Sequence, residues 1–399
     1  MYGRSNDKVG FNIKLSKKFF DRKNIRLRPD PGDKSHLRSK LCCDMANRLG
    51  LPSIQATFAR LYMNGEYWGL YTLMDAIKPS WIKQTFKPEE EEITTLFQCK
   101  TGGFNFSTYS YNQCINANDE YTNDKTEFKN FVAQMNSFNS IKQMDEVMDV
   151  DNFLKYIAME WLIGSFDHFL IYGHNFYFYK RETDNKWLLI EHDYDNTFGN
   201  GISLSLWSRK GNNQDGSGNN RGDQPIYYTF ADWELNIPIL KILVYKNLSR
   251  FKSIVKRVLI EAFNPLVLNA HIDELSQFIL PYIEEDSTPG EDGYLPGRIN
   301  KAGVKQSSSV DEFNNNVENS LKYWINTKFE VACNNYYFNK TEILEEAANF
   351  IPISFNYEYG KLTPEEIEKM EEEERKQKLK EEYLKLKEEF LKKKKKHPR

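Results

Sequence analysis

The chain has 399 residues and a mass of 47.1 kDa, with 40% hydrophobic and 28% charged residues, which excludes collagen-like, long disordered and disulfide-miniprotein classes. A formal net charge of -3 and an isoelectric point of about 6.2 give no global pull toward nucleic acid or an anionic membrane, so either would need a local patch. The most apolar stretch, residues 156–164, falls short of the about 18 to 20 residues that span a bilayer and contains Glu160, so no transmembrane segment is expected.

Five cysteines leave at least one thiol unpaired within the chain, and no Cys-x-x-Cys zinc spacing occurs. Residues 1–10 show no basic-then-apolar leader, and residues 11–15 already read as a strand. Residues 37–49 place Leu37, Leu41, Met45 and Leu49 on one helical face, closed by Gly50 and Pro52. Cys42 and Cys43 fall inside this pattern and read as buried hydrophobes. Residues 57–63 and 66–74 are aromatic and β-branched runs around Asn64-Gly65, a dipeptide whose tolerance of positive φ suits a type I′ hairpin.

Residues 85–125 read as a loop-bearing connector with one strand near 94–99. Cys99 and Cys114 flank its Gly/Ser/Tyr-rich loop and could close it as a disulfide outside the cell. The sequons at Asn105, Asn247 and Asn339 matter only for a secreted chain. From Glu127 the pattern turns helical, with Asp151 as the expected N-cap of a helix over 153–163. A second hairpin is expected from residues 176–180 and 187–190.

Residues 209–223, dominated by Gly, Asn, Asp and Ser, are expected to be a mobile loop. The tripeptide Arg221-Gly222-Asp223 within it is read as a chance occurrence. Helical patterns return over 237–263, 271–285 and 310–335. The last segment opens on the capping box Thr363-Pro364-Glu365-Glu366 and repeats Leu379, Tyr383, Leu386 and Phe390, which predicts one long charged helix with a possible partner along that seam. The basic cluster 392–396 reads as its solvated end.

The chemistry concentrates in Asp167-His168, His174-Asn175 and the run Glu191 to Gly199. A hairpin brings its two ends together, so Asn175 before one strand and Asp193 just past its partner must be neighbours. An amide oxygen beside a carboxylate suits Mg²⁺, a hard cation that keeps phosphates as its remaining ligands. Asp167 then points at the same spot. The order helix, Asp, loop, Asn, hairpin, Asp is the layout of a protein kinase catalytic segment. The interval from Asp167 to Asn175 is longer than in ordinary protein kinases, and no HRD, DFG or APE tripeptide is present.

With these pieces the sequence resembles the CotH kinase family, spore-coat-protein-H-like proteins with an atypical protein kinase fold. The matching residues run in order: Leu27-Arg28, then Gly50-Leu51-Pro52, then Asn64-Gly65-Glu66-Tyr67-Trp68-Gly69-Leu70-Tyr71 for the family's "NGEYxGxY" hairpin, then Asp167, His174-Asn175, and Asp193-Tyr194-Asp195 with Phe198-Gly199 for its "WDxDxxFG". The resemblance implies binding of ATP and Mg²⁺ and transfer of phosphate to Ser or Thr of secreted, coat or surface proteins. It implies Asp167 as catalytic base and Asn175, Asp193 and Asp195 as metal ligands. Lys14, Arg28 and Lys100 are the candidates for the cation on the ATP phosphates. His192 stands where the family has Trp, and Gln98 where its strand carries Lys.

The expected architecture is α+β, an atypical protein-kinase-like two-lobed fold: a smaller strand-rich lobe over 1–100, a larger helical lobe with the catalytic hairpin over 101–345, and a charged helical tail over 346–399. Two alternatives stand beside the kinase. One is a metal-dependent hydrolase using His168, His174 and His192 with the aspartates. The other is a kinase-like surface adhesion or scaffold module that binds a surface or matrix protein without efficient phosphotransfer. The family resemblance favours a secreted or cell-surface location, and no nucleic-acid partner is expected.

Overall fold

In the computed structural model, which describes residues 5–206, 224–306 and 309–352, the first sheet has the order β1-β2-β4-β3. Its strands are β1 (Phe11–Phe19), β2 (Arg22–Arg28), β3 (Ala56–Met63) and β4 (Glu66–Asp75). The expected hairpin is β3–β4: Met63 pairs with Glu66, and Asn64 and Gly65 take φ of 52° and 85° in the turn. The expected strand at the N-terminus extends to Phe19 and pairs with β2, whose charge-rich sequence hid it from the periodicity reading.

Helix α1 (Arg38–Arg48) packs against this sheet, with Leu41, Cys42, Cys43 and Met45 buried as expected and Ala46 buried beside them. Its first residue, Arg38, is itself buried and donates to Asp33, to the Thr197 carbonyl at 2.9 Å and to Ser320 at 2.9 Å. Burying a guanidinium is tolerated because each of its three nitrogens finds an acceptor and Asp33 balances its charge. Gly69 in β4 has φ of 105°, and an added Cβ there would lie 2.1 Å from an Asp286 oxygen. That close approach lets Asp286 accept from the Leu70 amide at 2.8 Å and from buried Lys8 at 2.6 Å. Helix α2 (Pro79–Phe86) follows the sheet.

The second sheet has the order β6-β5-β7-β8, from β5 (Leu96–Cys99), β6 (Cys114–Asn116), β7 (Phe176–Lys180) and β8 (Trp187–Glu191). Cys99 and Cys114 face each other in the β5–β6 register and form the disulfide. The loop they close sends Phe104 and Phe106 into an aromatic cluster with Phe128, Phe131 and Phe178. Phe128 and Phe131 come from helix α3 (Thr126–Ser137). A short helix α4 (Ile141–Val147) leads to the buried α5 (Val150–Ile163).

The N-cap of α5 is Asp149, not the expected Asp151: the Asp149 side chain accepts from the Asn152 amide at 3.0 Å. The Asp149 amide is tied to the Trp187 carbonyl at 3.0 Å, which keeps the backbone extended up to that residue and sets where the helix begins. Asp151 sits in the first turn and pairs with Arg250.

The long pattern over 237–263 breaks into the short turns Leu240–Leu243 and Tyr245–Asn247 before α6 (Leu248–Glu261). Helix α7 (Pro265–Asp286) starts on an Asn264 cap with Pro at its first position. Helix α8 (Val310–Asn316) runs through a π turn, Val317–Lys322, into α9 (Tyr323–Tyr336), and α10 (Lys340–Asn349) follows. The fold class is α+β. The expected loop over 209–223 and the expected charged helix after Thr363 lie outside the described residues.

Candidate active site

Helix α5 stops at Gly164, whose φ of 64° donates its amide back into the last turn. The chain then forms a loop, 165–175, held from three sides. Buried Glu160 of α5 accepts the amides of Phe169 at 3.1 Å and Leu170 at 2.9 Å. Buried His168 bonds Ser165 through one ring nitrogen and the His192 carbonyl at 2.8 Å through the other. The disulfide-closed loop adds Gly103 N to Tyr172 O at 2.7 Å and Phe104 N to Gly173 O at 3.1 Å. Burial pushes His168 down to about 4, so the ring is neutral at pH 7 and serves as a strut.

This loop delivers Asp167 as an acceptor of three hydrogen bonds: from His174, from Asn175 at 3.1 Å and from Asn196 at 3.0 Å. Burial opposes the charge on Asp167, but His174, the Asn196 hydrogen bond and His168 together offset it, and the carboxyl lies below its usual value. The base expected from sequence is therefore ionised and fixed in orientation. His174 lies between Asp167 and Tyr172, while His168 spends both nitrogens on structure, so these rings serve the loop.

Asn175 and Asp193 stand at the two ends of the β7–β8 hairpin, as the sequence predicts. Phe176 pairs with Glu191, and the His192 amide donates to the Asn175 carbonyl at 3.1 Å. Both residues have left-handed backbone, with φ of 62° and 73°, which Asn and Asp accept more readily than other side chains.

Arg28, at the end of β2, reaches across to this corner. It grips Asp193 through both terminal nitrogens, at 2.7 and 3.2 Å, and lies 3.5 Å from Asp195. Burial disfavours the Asp193 charge, yet Arg28 holds that carboxyl well below its usual range. One guanidinium cannot serve every carboxylate nearby. Burial and the Asp193 charge push Asp195 up to about 8, and burial pushes Asp30 up to about 7. Asp193 and Asp195 keep 24% and 21% of their side-chain surface open to solvent.

Asp167, Asn175, Asp193, Asp195 and Arg28 are thus brought into one corner. Lys14 and Lys100 are not: Lys14 is exposed on β1 opposite Asn24, and Lys100 is exposed just past β5. Gln98 pairs with Tyr177 and Ile115 inside the second sheet. Sequence reasoning missed Arg26, whose charge acts on Tyr177, His192 and Asp193. Its signal was the i, i+2 spacing with Arg28 on one strand, which puts both cations on one face.

The loop after Asp193 is fixed from outside. The Phe198 amide donates to Ile163 O at 2.6 Å, and Arg38 holds Thr197 O. An added Cβ at Gly164 or Gly199 would lie 2.2 or 3.0 Å from the ring of Trp324 of α9. Glycine is needed at these two positions because that ring packs directly on their backbone.

The donor chemistry fits a hard divalent cation shared with phosphate. All the candidate donors are oxygens, and a cation there would ease both the burial cost and the Asp193 repulsion that raise Asp195. Among the described residues no group of three or more His, Cys, Asp and Glu side chains is placed to hold a metal ion unaided.

The model of the family described as CotH kinase protein matches residues 2–331, and the chain belongs to that family. Similar proteins include invasin CotH3 of Rhizopus delemar, 22% identical over 67% of this chain and 45% of that protein. Invasin CotH2 of the same organism is 24% identical over 45% of this chain and 32% of that protein. The chain thus spans less than half the length of either relative. Among solved structures, the Helicobacter pylori proinflammatory kinase CtkA is similar with a TM-score of 0.34 and 11% identity, covering 84% of this chain and 94% of that one.

Proposed function

We propose that the protein is a kinase that uses ATP and Mg²⁺ to phosphorylate Ser or Thr hydroxyls of a secreted, coat or surface protein. The observation that carries this reading is the convergence of Asp167, Asn175 and Asp193 at one end of the β7–β8 hairpin. Asn175 and Asp193 would hold the metal, with Asp195 as a further acidic group beside it. Bound there, Mg²⁺ would supply charge neutralisation for the phosphates. Arg28 is the cation for the phosphates, in preference to Lys14 and Lys100, because it alone of the three contacts the carboxylates. Asp167 orients the acceptor hydroxyl and takes its proton. The architecture divides in this reading into a smaller strand-rich lobe over 1–100 and a larger helical lobe over 101–345.

A thermal-shift titration with ATP, with and without Mg²⁺, tests this directly. The expected result is a stabilisation that requires the metal and is lost in Asp193→Ala. Absence of any shift in the parent protein would sink the kinase reading.

The second reading is a surface-binding module on a kinase frame. It is favoured by the two-point grip of Arg28 on Asp193, which occupies the carboxylate a metal would need, and by the name invasin given to the Rhizopus relatives. It predicts no metal-dependent shift.

A further inference from the structure

The two hairpins of the first sheet turn in similar ways and with opposite sequence logic. The β3–β4 turn uses Asn64-Gly65, residues that adopt positive φ at little cost. The β1–β2 turn uses Phe20-Asp21, with φ of 45° and 61°. A bulky aromatic in left-handed backbone is disfavoured, and such strain is retained where the side chain has a task.

That side chain is turned to solvent. Phe20 is 77% exposed and its neighbour Phe19 is 47% exposed, their rings meeting edge to face at 4.7 Å. Every residue from Ser16 to Asp21 is exposed. The tip projects because β4 pairs with β2 only as far as Ile25, leaving residues 22–24 with β1 as their sole strand neighbour. Around the two rings stand Lys17, Lys18 and Lys23, all exposed, while Arg22 is tied to Asp75. No ion pair engages these three lysines among the described residues. A chain of net charge -3 thus presents a local basic patch with an exposed aromatic pair at its centre.

From this combination we infer that the β1–β2 tip docks on an anionic lipid bilayer, with Phe19 and Phe20 entering the interface and the lysines meeting the headgroups. Aromatic rings favour the boundary between headgroups and acyl chains, and each nearby lysine adds attraction to an anionic leaflet. An acidic soluble partner would satisfy the lysines but leaves no task for two exposed rings. The bilayer is therefore the occupant that accounts for both. Arg28 lies at the far end of β2, about 20 Å from the tip at the rise of an extended strand. Docking would hold the candidate active site at a set height above the surface.

Sedimentation of the full chain with phosphatidylcholine vesicles, with and without phosphatidylserine, tests the inference. Binding is expected only with phosphatidylserine, to weaken with salt, and to fall at least tenfold in Phe19→Ser/Phe20→Ser and in Lys17→Glu/Lys18→Glu. Charge reversal of the C-terminal lysines 392–396 serves as the control for a second basic segment. Binding that this control abolishes while the tip variants retain it would overturn the inference. So would binding that the phenylalanine pair does not affect, which would be charge attraction alone. A Phe20→Trp variant gives the direct readout: its added fluorescence should be quenched by lipids brominated on the acyl chains. No added quenching, with equal binding to soluble polyglutamate, would identify an acidic protein partner and refute the bilayer. The ATP titration above is independent of this tip, so either result can fail without the other.

Discussion

In the proposed kinase reading Asp167 is the base, and its surroundings say how it would act. Three donors converge on one carboxylate, so it is ionised and aimed before any substrate arrives. Asp167→Asn keeps the size and removes the base. Nucleotide-dependent thermal stabilisation is expected to persist while phosphate transfer to a protein acceptor drops by about 100- to 10,000-fold. Loss of both together would show that Asp167 acts through the fold. Asp33 offers a separate test through pH. Burial works against its charge, but Arg38 and Ser35 more than offset that, and its carboxyl lies below the usual value. A group lowered in the folded state contributes stability that is complete above its unfolded value, about pH 4, and is lost as pH falls through the lower folded value. The acid limb of the melting curve should therefore be shallower in Asp33→Asn than in the parent, and parallel limbs would refute the assignment.

At the scale of elements, the disulfide-closed loop and the 165–175 loop are braced on each other. Two backbone hydrogen bonds join them, and Gly173 packs so closely that an added Cβ would meet Phe104 O at 2.4 Å. The disulfide spans a sequence separation of 15, and a loop of that size is worth about 3 kcal/mol through the unfolded chain. Replacing both cysteines by serine should lower the melting temperature by several degrees. Because the same loop supports the candidate catalytic loop, reduced ATP-dependent stabilisation is expected alongside it. The β7–β8 hairpin was legible from its alternating aromatics, and it alone predicted that Asn175 and Asp193 meet. Strand β2 was not legible, since Arg22-Lys23-Asn24 gives no apolar alternation and its pairing comes from strands on either side.

Across the whole molecule, Arg38 ties together parts far apart in sequence: Asp33 before α1, Thr197 in the loop after Asp193, and Ser320 in the π turn ahead of α9. Arg38→Met removes the cation but leaves Asp33 buried. The expected loss is about 3 to 5 kcal/mol, the usual result of stranding one member of a buried pair. Chemical denaturation would measure it. A loss below about 1 kcal/mol, typical of an exposed pair, would mean that solvent reaches the site.

The sequence by itself determined the α+β class, the Asn64-Gly65 hairpin, the α1 helix and the order in which Asp167, Asn175 and Asp193 meet. The hairpins and the helix depend on periodicity or turn chemistry within a few residues, while the α+β class also rested on the family resemblance. Tertiary structure decided what depends on packing between distant segments: that Arg28 and not Lys14 or Lys100 faces the carboxylates, that Cys99 and Cys114 join, that α5 is capped by Asp149, and that Gly199 lies under Trp324. The physical reason is one of range. A side chain's local propensity acts through its own backbone, whereas the value of a charge or a ring depends on which partners are desolvated beside it. Only the assembled fold sets that.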